Sequence, residues 1–353
     1  MKRESYNERD AGKVYLWALL IPIVVSLILS LALSGSPQDE NNRFLVLDKV
    51  WFICLLQILS AAILVGIYYF YTSRNKISYK ACGITQKPNY LMVIICIVVG
   101  ITLCLFTDKF ITIIAIGLDK IGININSSMN IPLSNFGEYT LSILMIALLP
   151  AVTEELVYRG IILNGLRGLG KWSAILLSAL AFSLMHGNIA QLPYTFLLGI
   201  VLGYVMFETS SLILCMTIHF FNNATVITQM YITQTSTIPE SLSASYVIEA
   251  ILLLIAAVGI VVLAFYLISL IKKQLAQKEV QAVSNNSESE EEISTKQNKK
   301  LNQKGVLTQK EMVEQIKREI QLPNTKSQQD KSGIILLCVG YGVAICLILI
   351  NLI

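Results

Sequence analysis

Six residues of types that can do chemistry stand where apolar side chains are expected. Glu154 and Glu155 are adjacent inside the run LSILMIALLPAVTEELVYRG, and Arg159 follows four residues after Glu155. The chain has two histidines in all, His186 and His219, and both lie in apolar runs rather than loops. His219 and Asn223 are four apart, as are Phe182 and His186. A carboxylate beside an imidazole can accept and return a proton at neutral pH. Glu155 and Arg159 share a helix face in the favourable order for an ion pair. Glu154 points about 100° away from Glu155 on that helix, so it is the better candidate for a free base.

The surrounding elements explain why these residues are informative. Of the 353 residues, 54% are apolar and 14% charged, against about a quarter charged in soluble domains. One aqueous core cannot bury that much apolar surface, so lipid is the expected solvent. Inserting one charged side chain into a span costs about 2.5–3.5 kcal/mol, and two adjacent glutamates therefore need a reason. Runs of about 20 apolar residues predict spans at 14–34, 49–71, 90–106, 139–166, 171–187, 192–207, 210–230, 247–271 and 333–353. The expected fold is thus an all-α, polytopic transmembrane helix bundle, an eight-span core with a ninth C-terminal span. The run 111–118 is too short to cross alone and extends the third helix or lies at the interface. Gly199 and Gly203 form a G-x-x-x-G packing face.

Counting about 1.5 Å per residue from the cytoplasmic helix ends puts Glu154 about 18 Å deep, His186 about 22 Å, His219 about 14 Å and Asn223 about 20 Å. Four polar side chains from three helices therefore fall in one slab of membrane, as a converging site requires.

The +4 net charge is scattered over short loops, which speaks against nucleic acid as a partner. Lys2, Arg3, Arg9 and Lys13, then Arg74, Lys76, Lys80 and Lys87, then Arg159, Arg167 and Lys171, then Lys272 and Lys273 fall on one side if each span crosses. Positive loops stay cytoplasmic, so the protein is expected to be multi-pass in the cell membrane with its N-terminus inside. Neither a signal peptide nor a C-x-x-C pair is evident. All seven cysteines except Cys82 sit in apolar runs, which favours packing roles over a disulfide framework. The organisation expected is a membrane domain over 1–271 with its motif core at 139–230, a polar cytoplasmic linker over 272–332 carrying a short helix around 309–320, and a last span over 333–353.

Three motifs then converge. Glu154-Glu155-Leu156-Val157-Tyr158-Arg159 resembles the E-E-x-x-x-R motif of the type II CAAX prenyl endopeptidase family, also called the CPBP or Abi group. Phe182–His186 resembles its F-x-x-x-H motif and His219–Asn223 its H-x-x-x-N motif, in the family's order. The resemblance implies an intramembrane endopeptidase hydrolysing peptide bonds of membrane-associated peptides or proteins. It implies Glu154 as the base that activates water, His186 as a positioner of that water, and His219 and Asn223 as oxyanion donors, with Glu155 and Arg159 in support. It favours a mechanism without a cofactor. The alternative is zinc held by Glu154, His186 and His219, although no H-E-x-x-H is present. The competing functional reading is a non-catalytic membrane regulator or bacteriocin-immunity protein that keeps the fold. A proton relay or transporter is less well matched, because internal repeats are missing. The substrate and the oligomeric state are not encoded in these motifs.

Overall fold

The computed structural model describes residues 5–35, 49–84, 88–120 and 131–235, most of 258–277, and 331–350. The described residues are almost entirely helical. In chain order the helices are α1 (Glu8–Leu33), α2 (Val50–Arg74) and α3 (Tyr90–Asp119). They continue with α4 (Phe136–Leu169), α5 (Lys171–Met185), α6 (Leu192–Thr209) and α7 (Leu212–Thr235). An apolar helix, α8 (Ile260–Gln277), and α9 (Lys331–Ile350) complete them.

Among the described residues, α1, α2, α4, α6 and α8 are long and apolar enough to cross a membrane. Helix α7 is 24 residues long, but His219, Asn222, Asn223 and a series of threonines and glutamines dilute its apolar character. That dilution is the signature of the helix bringing most polar groups to the interior. The outward faces carry Leu27, Ile28, Leu31, Trp51, Tyr69 and Ile94, all exposed. In water such a surface would aggregate; in a bilayer it is solvated. The protein is an integral membrane protein built as an all-α polytopic bundle.

The helix limits differ from the expected spans for local reasons. Helix α1 begins at Glu8 rather than 14, because Asn7 and Asp10 form a capping box: Asn7 N–H donates to Asp10 Oδ2 at 2.8 Å and Asp10 N–H to Asn7 Oδ1 at 3.0 Å. This box satisfies two otherwise orphaned helix-end groups, and Tyr71 Oη fixes Asp10 by donating to its Oδ1 at 2.7 Å. Helix α3 runs unbroken to Asp119, so the run 111–118 extends it. The expected short helix at 309–320 and the first part of the eighth span lie outside the described residues.

The chain divides into two compact units, 1–265 together with 329–353, and 266–328. In the first unit α9 packs along α1 in parallel. A Cβ on Gly333 would fall 2.1 Å from the Glu8 carbonyl carbon, and one on Gly340 2.5 Å from the Tyr15 ring. Tyr341 Oη also donates to the Leu177 carbonyl of α5 at 2.7 Å. Helices α5 and α6 meet through the expected glycine face: Gly199 lies against Ala179 and Gly203 against Ile175.

Candidate active site

Helix α4 carries the paired glutamates on an α-helical segment, Leu149–Val157, set between two wider π-helical turns at Ile143–Leu148 and Tyr158–Leu163. The first relieves Pro150, which has no N–H and whose ring would clash with the preceding turn of a regular helix. The two bulges adjust which faces of α4 look inward above and below the glutamates.

Glu155 is the hub. It is fully buried, and its Oε1 accepts from Arg159 Nη1 at 2.9 Å and from His219 Nδ1 at 2.8 Å. Arg159 is fully buried too. Its Nη2 donates to the Gly199 carbonyl at 3.4 Å, and its guanidinium sits 4.4 Å from the centre of the Phe182 ring. Such a cation over an aromatic face is favourable where water is excluded. The expected ion pair between Glu155 and Arg159 is present, while the histidine that shares it comes from a different helix and has no signal in the local sequence.

Glu154 faces elsewhere, as the helix geometry predicts. It borders a cavity of about 220 Å³ whose lining includes His186, His219, Asn223, Tyr194 and Gln57. Its Oε2 is buried without a hydrogen-bond partner and lies 3.9 Å from His219 Nε2, too far for a direct hydrogen bond. An unpaired buried carboxylate oxygen is costly, and a water or substrate in the cavity would relieve it.

Each histidine is held by its Nδ1. His186 Nδ1 bonds the Phe182 carbonyl at 2.9 Å, and a carbonyl only accepts, so Nδ1 carries the proton. His186 closes α5, and Gly187 turns the chain with a positive φ of 63°. The turn into α6 is pinned by Ser183 Oγ donating to the Leu192 carbonyl at 2.7 Å and Thr195 Oγ1 donating to Ser183 Oγ at 3.0 Å. Phe182 is the wedge between the motifs, with its ring centre 5.0 Å from that of His186, 5.7 Å from His219 and 5.3 Å from Tyr158.

Helix α7 is brought in by α3. A Cβ on Gly100 would meet the Ile218 carbonyl oxygen at 2.6 Å, so only glycine lets α3 pass directly behind His219. An apolar cluster of Val50, Cys54, Ile131, Leu133, Ile146 and Ile227 adjoins the cavity, which Ile146 and Ile227 also line. Gln234 staples the 131–133 segment over it, accepting from Leu133 N–H and donating to the Ile131 carbonyl, both at 2.8 Å.

All four residues expected to act, Glu154, His186, His219 and Asn223, border this one cavity. Three neighbours escaped the sequence reading: Gln57 from α2, Tyr194 from α6, and Asn222 behind Asn223. Gln57 is a polar side chain in an apolar span, a signal that was there to be used. Two imidazoles and a carboxylate suit zinc chemically. Among the described residues, however, no group of three or more His, Cys, Asp or Glu side chains is gathered so as to hold a metal ion, and the chemistry below runs through the chain's own residues.

No curated protein and no solved structure matches the chain. Residues 136–225, which span α4, α5, α6 and the first half of α7, match the family model described as type II CAAX prenyl endopeptidase Rce1-like.

Proposed function

We propose that this protein is an intramembrane endopeptidase that cuts membrane-associated peptides or proteins with a water activated by Glu154. The observation that carries the reading is the unpartnered, buried Glu154 carboxylate oxygen on the cavity that His186, His219 and Asn223 also border. In a dry site a free carboxylate of this kind is a base in waiting. Glu154 takes a proton from water as the oxygen attacks the scissile carbonyl carbon. His186, with its Nδ1–H donated to Phe182, offers the Nε2 lone pair as a second acceptor that orients the same water. Electrons from the carbonyl double bond move to its oxygen, and Asn223 and His219 donate hydrogen bonds to the resulting anion. Collapse expels the amine, which takes the proton from Glu154. Glu155 and Arg159 hold His219 in register. The mechanism uses no metal, and the protein acts in the cell membrane with its N-terminus in the cytoplasm.

The test is a comparison of membrane peptidomes from cells expressing the wild type, Glu154→Gln and His186→Ala. Loss of the same cleaved product in both variants is expected, with the wild-type product persisting after strong chelation. A wild-type phenotype that survives both substitutions would instead mark a non-catalytic regulator or immunity protein. Activity lost to chelation and restored by zinc would assign Glu154, His186 and His219 to a metal.

A further inference from the structure

Tyr194 and Asn222 have no part in the proposed reaction, yet Tyr194 lines the cavity and Asn222 is bonded to it. Tyr194 of α6 borders the cavity. Its hydroxyl is met by Nδ2 of Asn222 from α7. Asn222 is fully buried, and the same Nδ2 donates to Asn223 Oδ1 at 3.1 Å. Its own Oδ1 is buried without a partner. An orphaned buried acceptor is costly, so this amide is not where folding alone would place it.

The direction of these bonds has a chemical consequence. An amide NH2 can only donate. Tyr194 Oη therefore receives a hydrogen from Asn222 and spends a lone pair on it, which leaves its own hydrogen for another acceptor. Among the described residues Tyr194 makes no other hydrogen bond than the one with Asn222, and it is a residue of the cavity lining. Asn223 is turned by the same contact: its Oδ1 is held by Asn222, so its NH2 is the end left to face the cavity. One buried amide thus sets two neighbours to present hydrogens to one space.

We infer that the Tyr194 hydroxyl is a further catalytic donor to the oxyanion, and that Asn222 is the positioning residue for both Tyr194 and Asn223. The inference rests on the endopeptidase reading. When water adds to the scissile carbonyl, Tyr194 O–H and Asn223 N–H lengthen toward the new anion without giving up their protons. The transferred proton travels only from water to Glu154 and on to the departing amine.

The experiment begins with the product lost in the Glu154→Gln peptidome. Its precursor segment, synthesised with a fluorophore and quencher, is assayed with purified full-length protein in phosphatidylethanolamine and phosphatidylglycerol vesicles. Rates are expressed per mole of monodisperse protein. Tyr194→Phe removes one oxygen and is expected to lower kcat about a hundredfold, the effect of losing one oxyanion donor, with KM within about twofold. Asn222→Asp keeps the volume, but a carboxylate only accepts. It captures the Tyr194 hydrogen, and it is expected to lower kcat to a similar extent with KM unchanged. If Tyr194→Phe is poorly folded, Asn222→Asp decides. A kcat within about fivefold of wild type in the deciding variant, or a loss confined to KM, overturns the inference while an inactive Glu154→Gln leaves the endopeptidase intact. A peptidome unaltered by Glu154→Gln overturns both.

Discussion

Glu154 and Glu155 are neighbours of the same type, and the structure assigns them opposite consequences when each is replaced by glutamine. Glu155 Oε1 is shared by Arg159 at 2.9 Å and His219 at 2.8 Å, and the carboxylate and guanidinium are both fully buried. Removing one partner of a buried pair leaves the other charge uncompensated, which costs about 3–5 kcal/mol. Glutamine keeps one acceptor oxygen, and Arg159 retains the Gly199 carbonyl and the Phe182 face. The expected loss is therefore at the lower end, about 3 kcal/mol. For a unit of this size that corresponds to a melting point lower by about 6–12 °C. Glu154 has no hydrogen-bond partner on Oε2, so Glu154→Gln is expected to melt within about 2 °C of wild type while losing proteolysis. The assay is thermal unfolding of detergent-solubilised protein, followed by intrinsic fluorescence at one scan rate. A third variant, Glu155→Leu with Arg159→Leu, removes both charges and is expected to melt above Glu155→Gln, because apolar replacement of a buried pair is often neutral. If Glu154→Gln melted as low as Glu155→Gln, the division of labour between the two carboxylates would be refuted. A double variant melting below the single one would refute the buried-charge explanation.

Two further outcomes follow from close contacts elsewhere. Gly100→Ala places a Cβ 2.6 Å from the Ile218 carbonyl oxygen, so α3 and α7 must separate. An overpacking cost of about 1–3 kcal/mol and at least a tenfold fall in proteolysis are expected, read by melting and by the vesicle assay; unchanged activity would show that His219 tolerates the shift. Cys82 lies outside the spans, and burial pushes its thiol up from the ordinary 9.0, with the hydroxyls of Tyr6 and Tyr68 partly offsetting this. A raised value means that the neutral thiol supports folding fully below about pH 9 and that this support is lost as the pH climbs to the folded-state value. Maleimide labelling mapped by mass spectrometry should therefore find Cys82 unreactive at pH 8 in folded protein and reactive after unfolding.

Much of this site was legible because a membrane makes polar residues conspicuous. Glu154, His186, His219 and Asn223 stood out against apolar runs, and depth counting along three helices placed them at one level; all four border the same cavity. The i, i+4 rule gave the Glu155–Arg159 contact, since both ends lie on one helix. The contact from His219 to Glu155 crosses 64 residues, and no periodicity reports on a partner that far away. Tyr194 and Asn222 were missed for the same reason: a tyrosine at a span and a polar neighbour beside a motif residue are ordinary until a second helix aligns them. Helix starts were misread where side chains outrank hydropathy. Glu8 and Asp10 lie ahead of the expected first span, yet both are buried; capping with Asn7 and the Tyr71 hydroxyl meet the polar groups of Asp10 inside the fold.

The bonding of the two histidines also constrains how the site can work. His186 and His219 both engage their Nδ1, one with a carbonyl and the other with the Glu155 carboxylate. A neutral imidazole so held offers only a lone pair at Nε2. That suits the water-accepting role proposed for His186. It does not suit the oxyanion role proposed for His219, which needs a hydrogen on Nε2. His219 Nε2 lies 3.9 Å from Glu154 Oε2, too far for a direct hydrogen bond, so the 2.8 Å bond from Nδ1 to Glu155 is what fixes the ring. Glu155 therefore does more than anchor two helices: by holding Nδ1 it leaves Nε2 as the ring nitrogen nearest Glu154, and that is the atom on which the proposed oxyanion role of His219 depends.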